Sequence, residues 1–167
     1  MNNPQKAFSQ IYDQCVEKIY RFIILKVSSQ EIAQDLCSET FLRGWQSFKK
    51  NNKKIDNPRA FLYQIARNLI IDHYREKGKM QTISADYIPI TDPRVDLEEE
   101  TKASSDLDTI KALLANLKDE YQEVVIWHYI DDLSIAEIAK MLKKSEGTVR
   151  VTLHRALKAV RKEIEEV

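Results

Sequence analysis

The 167-residue chain is poor in the residues that interrupt helices. It has 3 glycines and 4 prolines, and its apolar residues recur with the 3.6-residue period of a helix, so no segment predicts a strand. No apolar run approaches the roughly 20 residues that span a membrane. The N-terminus lacks the apolar core and cleavage site of a signal peptide. We therefore expect an all-α protein that stays in the cytoplasm.

Residues with reactive or metal-binding side chains are also scarce. Cys15 and Cys37 are isolated, which predicts two small buried apolar residues in a reducing compartment. His73, His128 and His154 are far apart, and none has a partner at a metal-ligand spacing. The sequence has no glycine-rich phosphate loop and no nucleophile elbow. We expect no enzyme activity, no catalytic residue, no metal and no cofactor.

Charge is balanced overall, with 26 basic and 26 acidic residues, but it is unevenly distributed. Residues 1–82 carry 14 basic and 8 acidic side chains, residues 83–105 carry 2 and 6, and residues 106–167 carry 10 and 12. The middle block contains Pro89 and Pro93 and few large apolar residues, which is typical of an extended segment. The sequence predicts two small helical domains, 1–82 and 106–167, joined by an extended acidic linker, 83–105.

Residues 134–161 have the pattern of a helix-turn-helix. Ser134 and Glu137 form a capping box at the start of the first helix. A polar turn over residues 143–147 follows, and a second periodic run begins at Thr148. The second helix has an apolar face made of Val149, Leu153, Ala156, Leu157 and Val160. The opposite, outward face is made of Thr148, Val151, His154, Arg155 and Lys158.

Local charge favours a nucleic-acid partner for this hairpin. Residues 140–162 contain eight basic side chains and one acidic one, a net charge of +7. Such a patch is what neutralisation of DNA phosphates requires. The alternative is an ordinary helical hairpin with a solvated basic face, because helix-turn-helix patterns are common false positives.

The N-terminal domain is predicted to begin with two helices, residues 4–27 and residues 28–48, the second opened by a capping box at Ser28 and Glu31. The second helix has an outward face that mixes carboxylates with a leucine: Asp35, Glu39, Leu42 and Gln46. This face is a candidate partner surface, although a plain solvated face fits the periodicity as well. The basic run 49–54 is predicted to be a loop.

A third helix is predicted over residues 57–77, with Asn57 as the cap and Pro58 at the first helical position. Its inward residues are predicted to be Phe61, Leu62, Ile65, Ala66 and Leu69. Tyr63, Arg67 and Tyr74 would then point outward, with Asn68 and Arg75 near the edge of that face. Aromatic rings between cations suit single-stranded nucleic acid. The tyrosines would equally serve to close the edge of the domain.

Three segments in this order resemble a bacterial extracytoplasmic-function (ECF, group 4) RNA polymerase sigma factor of the sigma-70 family. They are residues 33–45 (AQDLCSETFLRGW), residues 57–68 (NPRAFLYQIARN) and residues 146–150 (EGTVR). The resemblance implies sigma region 2 in the first domain and sigma region 4 in the second. It implies that region 2 docks on the clamp of the largest polymerase subunit, and that region 4 binds the flap of the second-largest subunit. It also implies that the acidic linker passes through the RNA channel of the polymerase.

The resemblance also assigns roles by position. The polymerase-binding residues would be Asp35, Glu39, Phe41 and Leu42. The residues at the melted minus-ten element, where a flipped base would be captured, would be Phe48, Arg59, Tyr63, Arg67 and Asn68. The residues that bind the minus-35 duplex would be Thr148, Arg150, Val151, Thr152, His154, Arg155 and Lys158.

This chain departs from the common pattern of such factors at Arg150, Val151 and Thr152, where many relatives have a polar residue followed by a cation. Val151 lies near the centre of the outward face, where its methyl groups would favour a thymine methyl. Ser38 replaces a usual glutamine in the polymerase-binding helix.

The expected function is that of a sigma factor which directs bacterial RNA polymerase to specific promoters of a stress-response regulon, under control of an anti-sigma factor. The alternative is a helix-turn-helix regulator that binds duplex DNA without polymerase. A regulator of that kind would need a sensor or dimer interface in the N-terminal domain.

Overall fold

The computed structural model of the protein describes residues 3–27, 29–51, 55–81 and 102–165, and all regular structure in these ranges is helical. The chain divides into two compact units, residues 1–93 and residues 94–167. The all-α prediction is therefore confirmed. None of the helices in the described ranges is long and apolar enough to cross a membrane.

The first unit is built from three helices, α1 (Pro4–Lys26), α2 (Gln30–Asn51) and α3 (Pro58–Gln81). Each of the three packs on the other two. The helix start predicted at Asn57 is confirmed, because the Asn57 side chain accepts a hydrogen bond from the Ala60 amide at 3.1 Å.

The start of α2 differs by one residue from the prediction. The Ser29 hydroxyl accepts a hydrogen bond from the Ile32 amide at 3.3 Å, so Ser29 caps the helix. Ser28, the predicted cap, lies outside the described residues. The Ser-Ser pair offers two adjacent capping hydroxyls, and periodicity alone does not choose between them.

The end of α2 corrects another prediction, because residues 49–51 are helical although the run 49–54 was predicted to be a loop. Phe48 is buried against Phe8, with ring centroids 5.6 Å apart, and the Lys49 ammonium lies 5.9 Å from the Trp45 ring. These contacts hold the last turn, where cations also interact favourably with the helix dipole. Residues 52–54 lie outside the described ranges.

An aromatic cluster lies where α1 meets α2, at the edge of the buried core of the first unit. Phe8 lies 5.4 Å from Trp45 and 6.5 Å from Phe41, measured between ring centroids. Next to this cluster, Gly44 allows a close approach to α3, because a Cβ atom at this position would lie 2.6 Å from Leu62 Cδ2. The tight packing of α2 on α1 and α3 leaves only its outer face for a partner.

The second unit contains four α-helices in the described residues: α4 (Lys102–Ala115), α5 (Asp119–Val125), α6 (Ile135–Leu142) and α7 (Glu146–Glu165). The chain continues from α5 as a π-helical turn over Ile126–Ile130. Helices α4, α5 and α6 all pack on α7. Their buried core consists of Leu114, Leu117, Val124, Ile126, Trp127, Leu133, Ile138, Ala139, Met141, Val149, Leu153 and Ala156.

Helix α4 begins within the predicted linker, because residues 102–105 are helical. The predicted linker end at residue 105 is therefore wrong. Leu114 is buried, and once a helix is nucleated by such packing it extends by one hydrogen bond per added residue. Residues 82–101, which include the rest of the predicted linker, lie outside the described residues.

Candidate polymerase and DNA interfaces

Helix α7 presents a continuous exposed face. Its buried side consists of Val149, Leu153 and Ala156, as the sequence predicts. The five residues predicted to point outward are all exposed: Thr148, Val151, His154, Arg155 and Lys158. Val151, at the centre of this face, is 50% exposed.

The start of α6 is a reciprocal capping box, as predicted. The Ser134 hydroxyl accepts from the Glu137 amide at 3.1 Å, and the Glu137 carboxylate accepts from the Ser134 amide at 3.1 Å. Helix α6 ends at Lys143, whose φ of 56° places it in the left-handed region. The chain therefore turns sharply between the two helices of the hairpin.

The second helix of the hairpin starts two residues earlier than predicted, at Glu146 instead of Thr148. The Ser145 hydroxyl accepts a hydrogen bond from the Thr148 amide at 3.1 Å, so Ser145 occupies the capping position. Sequence analysis missed this cap because Gly147 was assigned to the turn. The signal was present, since a serine three residues before a well-formed amphipathic run is a common helix start.

The hydroxyl groups on α7 are engaged within the helix. The Thr152 hydroxyl donates to the Thr148 carbonyl at 2.9 Å, and the hydroxyls of Ser145 and Thr148 are 2.8 Å apart. Arg150 lies on the flank of the exposed face, 3.9 Å from the Glu146 carboxylate. At that distance and exposure, the ion pair holds Arg150 only weakly.

Helix α2 presents the mixed acidic and apolar face that the sequence predicts. Leu42 is 51% exposed and Asp35 is exposed. Glu39 is partly exposed and accepts a hydrogen bond from Arg43 Nε at 2.8 Å. Sequence analysis did not consider Arg43, although a Glu-Arg pair four residues apart is a recognisable helix pair. The pair leaves one carboxylate oxygen of Glu39 for a partner.

Phe41 occupies a different place from the one its predicted role requires. It is buried, and its ring lies 4.8 Å from that of Tyr12, which is itself 43% exposed. A side chain this deeply covered supports the α2 face from beneath and does not form it. Direct contact of Phe41 with a partner is therefore wrong for this conformation, and Tyr12 is the aromatic ring that reaches the surface beside it.

The outward orientation predicted for Tyr63 is also wrong. Tyr63 is fully buried, and its ring packs edge-on against Phe22 of α1 at 5.7 Å. Phe48, another residue assigned to the minus-ten site, is buried as well. Neither ring is available to stack on a base. Tyr63 is buried because α3 packs on both α1 and α2, whereas Phe48 of α2 is covered by Phe8 of α1.

The remaining minus-ten candidates stay accessible on α3. Asn68 is exposed, whereas Arg59 and Arg67 are partly covered. Tyr74 is 43% exposed, but its hydroxyl donates a hydrogen bond to the carbonyl of Lys26 at the end of α1. Tyr74 therefore closes the edge of the unit, as the alternative interpretation of this face expects. Asn68 is the best-placed polar side chain for a base.

The two cysteines lie in the core, as predicted. Both are free and buried, and burial raises the pKa of each thiol above its ordinary value. For Cys15 the positive charges of Arg59 and Lys18 partly oppose that rise. Thiols with a raised pKa form little thiolate and react slowly. No group of three potential metal ligands occurs among the described residues.

Comparison with known proteins identifies the family of this chain. Residues 11–80 match the family described as "Sigma-70 region 2", and residues 107–160 match "Sigma-70, region 4". The ECF RNA polymerase sigma factor SigW of Bacillus subtilis is 32% identical, and the match covers 98% of this chain and 91% of SigW. This chain belongs to the ECF sigma factors. The resemblance found in the sequence is confirmed.

Other similar proteins are longer than this chain or less similar to it in sequence. The ECF sigma factor BldN of Streptomyces coelicolor is 28% identical over 92% of this chain, which spans only 59% of BldN. The solved sigma factor RpoE of Bartonella quintana, in complex with the anti-sigma factor NepR, has the same fold. It aligns with a TM-score of 0.77 and 20% identity, covering 96% of this chain and 98% of RpoE.

The family match assigns the surfaces of this ECF sigma factor to its two regions. The α2 and α3 faces lie within region 2, and most of the α6–α7 hairpin lies within region 4. The exposure of Asp35, Leu42, Asn68 and the α7 face is established by the structure. Their contacts with polymerase and DNA stay predictions.

Proposed function

We propose that this ECF sigma factor directs bacterial RNA polymerase to specific promoters by dividing the work between its two units. In this proposal, region 2 binds the polymerase and captures the melted minus-ten element, and region 4 binds the minus-35 element as duplex. The observation that supports it most is the exposed face of α7, where two cations and a histidine share one surface with Val151.

The geometry of α7 suits the major groove. A recognition helix contacts base edges with residues near its N-terminus, while cations beside it hold phosphates. Thr148 and Val151 lie in the first two turns, and Arg155 and Lys158 follow on the same exposed face. Arg150 and Thr152 lie on the flanks of this face. We therefore assign Arg155 to a base edge and Lys158 to a phosphate.

The α2 face suits a protein partner. Exposed leucines flanked by charge are typical of an interface in which an apolar centre supplies burial and charged residues supply specificity. We assign Asp35, Glu39 and Leu42 to the clamp of the largest polymerase subunit. Phe41 supports this face from the core. The flap of the second-largest subunit remains the proposed contact for region 4.

The minus-ten site is assigned to the exposed part of α3. Asn68 carries an amide that both donates and accepts, which suits recognition of one flipped base. Arg59 and Arg67 would hold the neighbouring phosphates of the melted strand. Phe48 and Tyr63 have no direct role in this assignment, because both are buried.

Regulation by an anti-sigma factor is part of the proposal. The RpoE structure, which shares this fold, is a complex with an anti-sigma factor. We propose that this chain acts in the cytoplasm on a stress-response regulon, and that an anti-sigma protein keeps it from the polymerase until the signal arrives.

The decisive test measures binding to core RNA polymerase. Asp35→Lys combined with Leu42→Lys should abolish binding in a titration, because it places two cations on the proposed clamp-binding face. Asp72→Lys combined with Ile164→Lys makes the same pair of changes at exposed positions elsewhere and should bind normally.

Circular dichroism of both double variants checks that the helical content is retained. Run-off transcription from genomic fragments should then require core polymerase, the wild-type chain and the unaltered α2 face together. Equal core affinity of the two double variants would contradict docking through α2.

A further inference from the structure

In the first two turns of α7, the hydroxyl groups of Thr148 and Thr152 are already hydrogen-bonded within the protein. Thr152 uses its hydroxyl hydrogen in the 2.9 Å bond to the Thr148 carbonyl. The Thr148 hydroxyl lies 2.8 Å from that of Ser145, which also caps the helix. Both threonine hydroxyls are therefore engaged inside the protein.

This arrangement limits what the two threonines offer to DNA. A hydroxyl has one hydrogen to donate, so Thr152 cannot donate to a base acceptor unless it gives up the bond to the helix. The Thr152 oxygen can still accept a hydrogen bond, whereas the Cγ2 methyl is the group that can make an apolar contact. Val151, beside Thr152 and 50% exposed, adds two further methyl groups.

The major groove carries a feature that such a surface recognises. Thymine alone presents a methyl group there, at C5, and this group is read by apolar contact. The residues near the N-terminus of a recognition helix are the ones that reach base edges. The long polar side chains at the centre of the same face, His154 and Arg155, come one turn after Val151.

We propose that Val151 and Thr152 determine minus-35 specificity by contacting the C5 methyl groups of thymines, with Thr152 acting through its methyl and not its hydroxyl. The inference rests on the proposed function of α7 as the minus-35 recognition helix. Arg155, one turn further along, then supplies the hydrogen-bonding part of the recognition.

The test starts from holoenzyme assembled from the full chain and core polymerase. A duplex library randomised across the promoter length is selected for binding, and the enriched minus-35 element should contain thymine at positions facing Val151 and Thr152. Each thymine is then replaced in turn by deoxyuridine, which lacks only the C5 methyl group. Loss of one contacted methyl should weaken binding about three- to fivefold, whereas the same replacement outside the two promoter elements should have no effect.

Two variants of Thr152 separate the methyl from the hydroxyl. Thr152→Val keeps a methyl group at the same place and removes the hydroxyl, so it should retain both the affinity and the sensitivity to deoxyuridine. Thr152→Ser keeps the hydroxyl and removes the methyl, so it should lose about three- to fivefold in affinity and become insensitive to deoxyuridine at that thymine. Val151→Ala should lose sensitivity at a different thymine.

The outcomes distinguish this inference from the proposed function beneath it. If holoenzyme enriches no duplex beyond what core polymerase enriches alone, the proposed function fails and the methyl contacts fail with it. If a minus-35 element is enriched but deoxyuridine has no effect, or Thr152→Ser behaves as wild type while Thr152→Val does not, promoter recognition stands and methyl recognition is overturned.

Discussion

Helices α7 and α3 both carry aromatic or apolar residues among cations and were both expected to expose them, but the residue at the centre of the predicted face is exposed in α7 and buried in α3. In α7 the exposed face has the residues that the period predicts, including Val151. In α3 the tyrosine at the centre of the predicted face is fully buried, and Asn68 is exposed.

The difference follows from how each helix is packed. In α7 the buried residues form one narrow stripe of the kind that amphipathic periodicity describes well. Both helices pack on several neighbours. The buried residues of α3 nevertheless cover a wider arc, which includes the tyrosine: Leu62, Tyr63, Ala66, Leu69 and Ile70. Outward assignments from periodicity are therefore most secure for helices with a narrow buried stripe.

Tyr63→Ala should have the largest effect, because it removes a buried aromatic ring from the contact with Phe22. We expect a loss of about 3 to 5 kcal/mol in the free energy of unfolding of the first unit. Chemical denaturation followed by circular dichroism measures it. Tyr74→Ala, which changes an exposed tyrosine on the same helix, is the matched control and should cost much less. A loss of no more than about 0.5 kcal/mol for Tyr63→Ala would indicate that Tyr63 is exposed. The contrast between α3 and α7 would then not hold.

Arg155→Ala and Lys158→Ala, two substitutions on α7, should have different kinds of effect on DNA binding. If Arg155 pairs with a guanine edge, its loss should cost about 1 to 3 kcal/mol in binding and relax the preference at one base pair. Lys158→Ala should weaken all minus-35 variants about equally and reduce the salt slope by about one unit. Binding profiles across single-base variants of the minus-35 element, at several salt concentrations, distinguish the two. Parallel losses in both variants would mean that α7 meets the duplex with a different side.

Ser145→Ala tests the helix start that sequence analysis missed. Removal of the capping hydroxyl should lower the free energy of unfolding of the second unit by about 1 kcal/mol. Ser145→Asp keeps an oxygen for the Thr148 amide and should retain most of that stability. Thermal unfolding of the two variants gives the answer, and equal stability of both with wild type would place the start of α7 at Thr148 after all.

Asn68→Ala should have a small effect on the free energy of promoter opening, and that effect should be specific to one base position. Loss of a hydrogen bond to a flipped base should cost about 0.5 to 1.5 kcal/mol in promoter opening. The preference at one minus-ten position should also change, while binding to the minus-35 duplex stays the same. Permanganate footprinting on promoters with each of the four bases at that position measures both effects. An unaltered melting pattern and base ranking would leave α3 without a base-contacting residue.

Much of this protein follows from local physical chemistry. The helical period predicts the all-α fold, the capping residues Asn57 and Ser134 mark helix starts that the structure confirms, and the apolar stripe of α7 predicts its exposed face. These features depend on residues close together in sequence, whose side chains find their hydrogen-bond partners within one turn. The three motifs in order were also sufficient to suggest the sigma family.

Tertiary structure decided the features that depend on distant partners. The burial of Tyr63 depends on Phe22 of α1, which no local period reveals. The extension of α2 past Lys49 depends on the packing of Phe48 against Phe8. The local sequence thus determines which residues share a helix face, and packing between helices determines which of them are exposed.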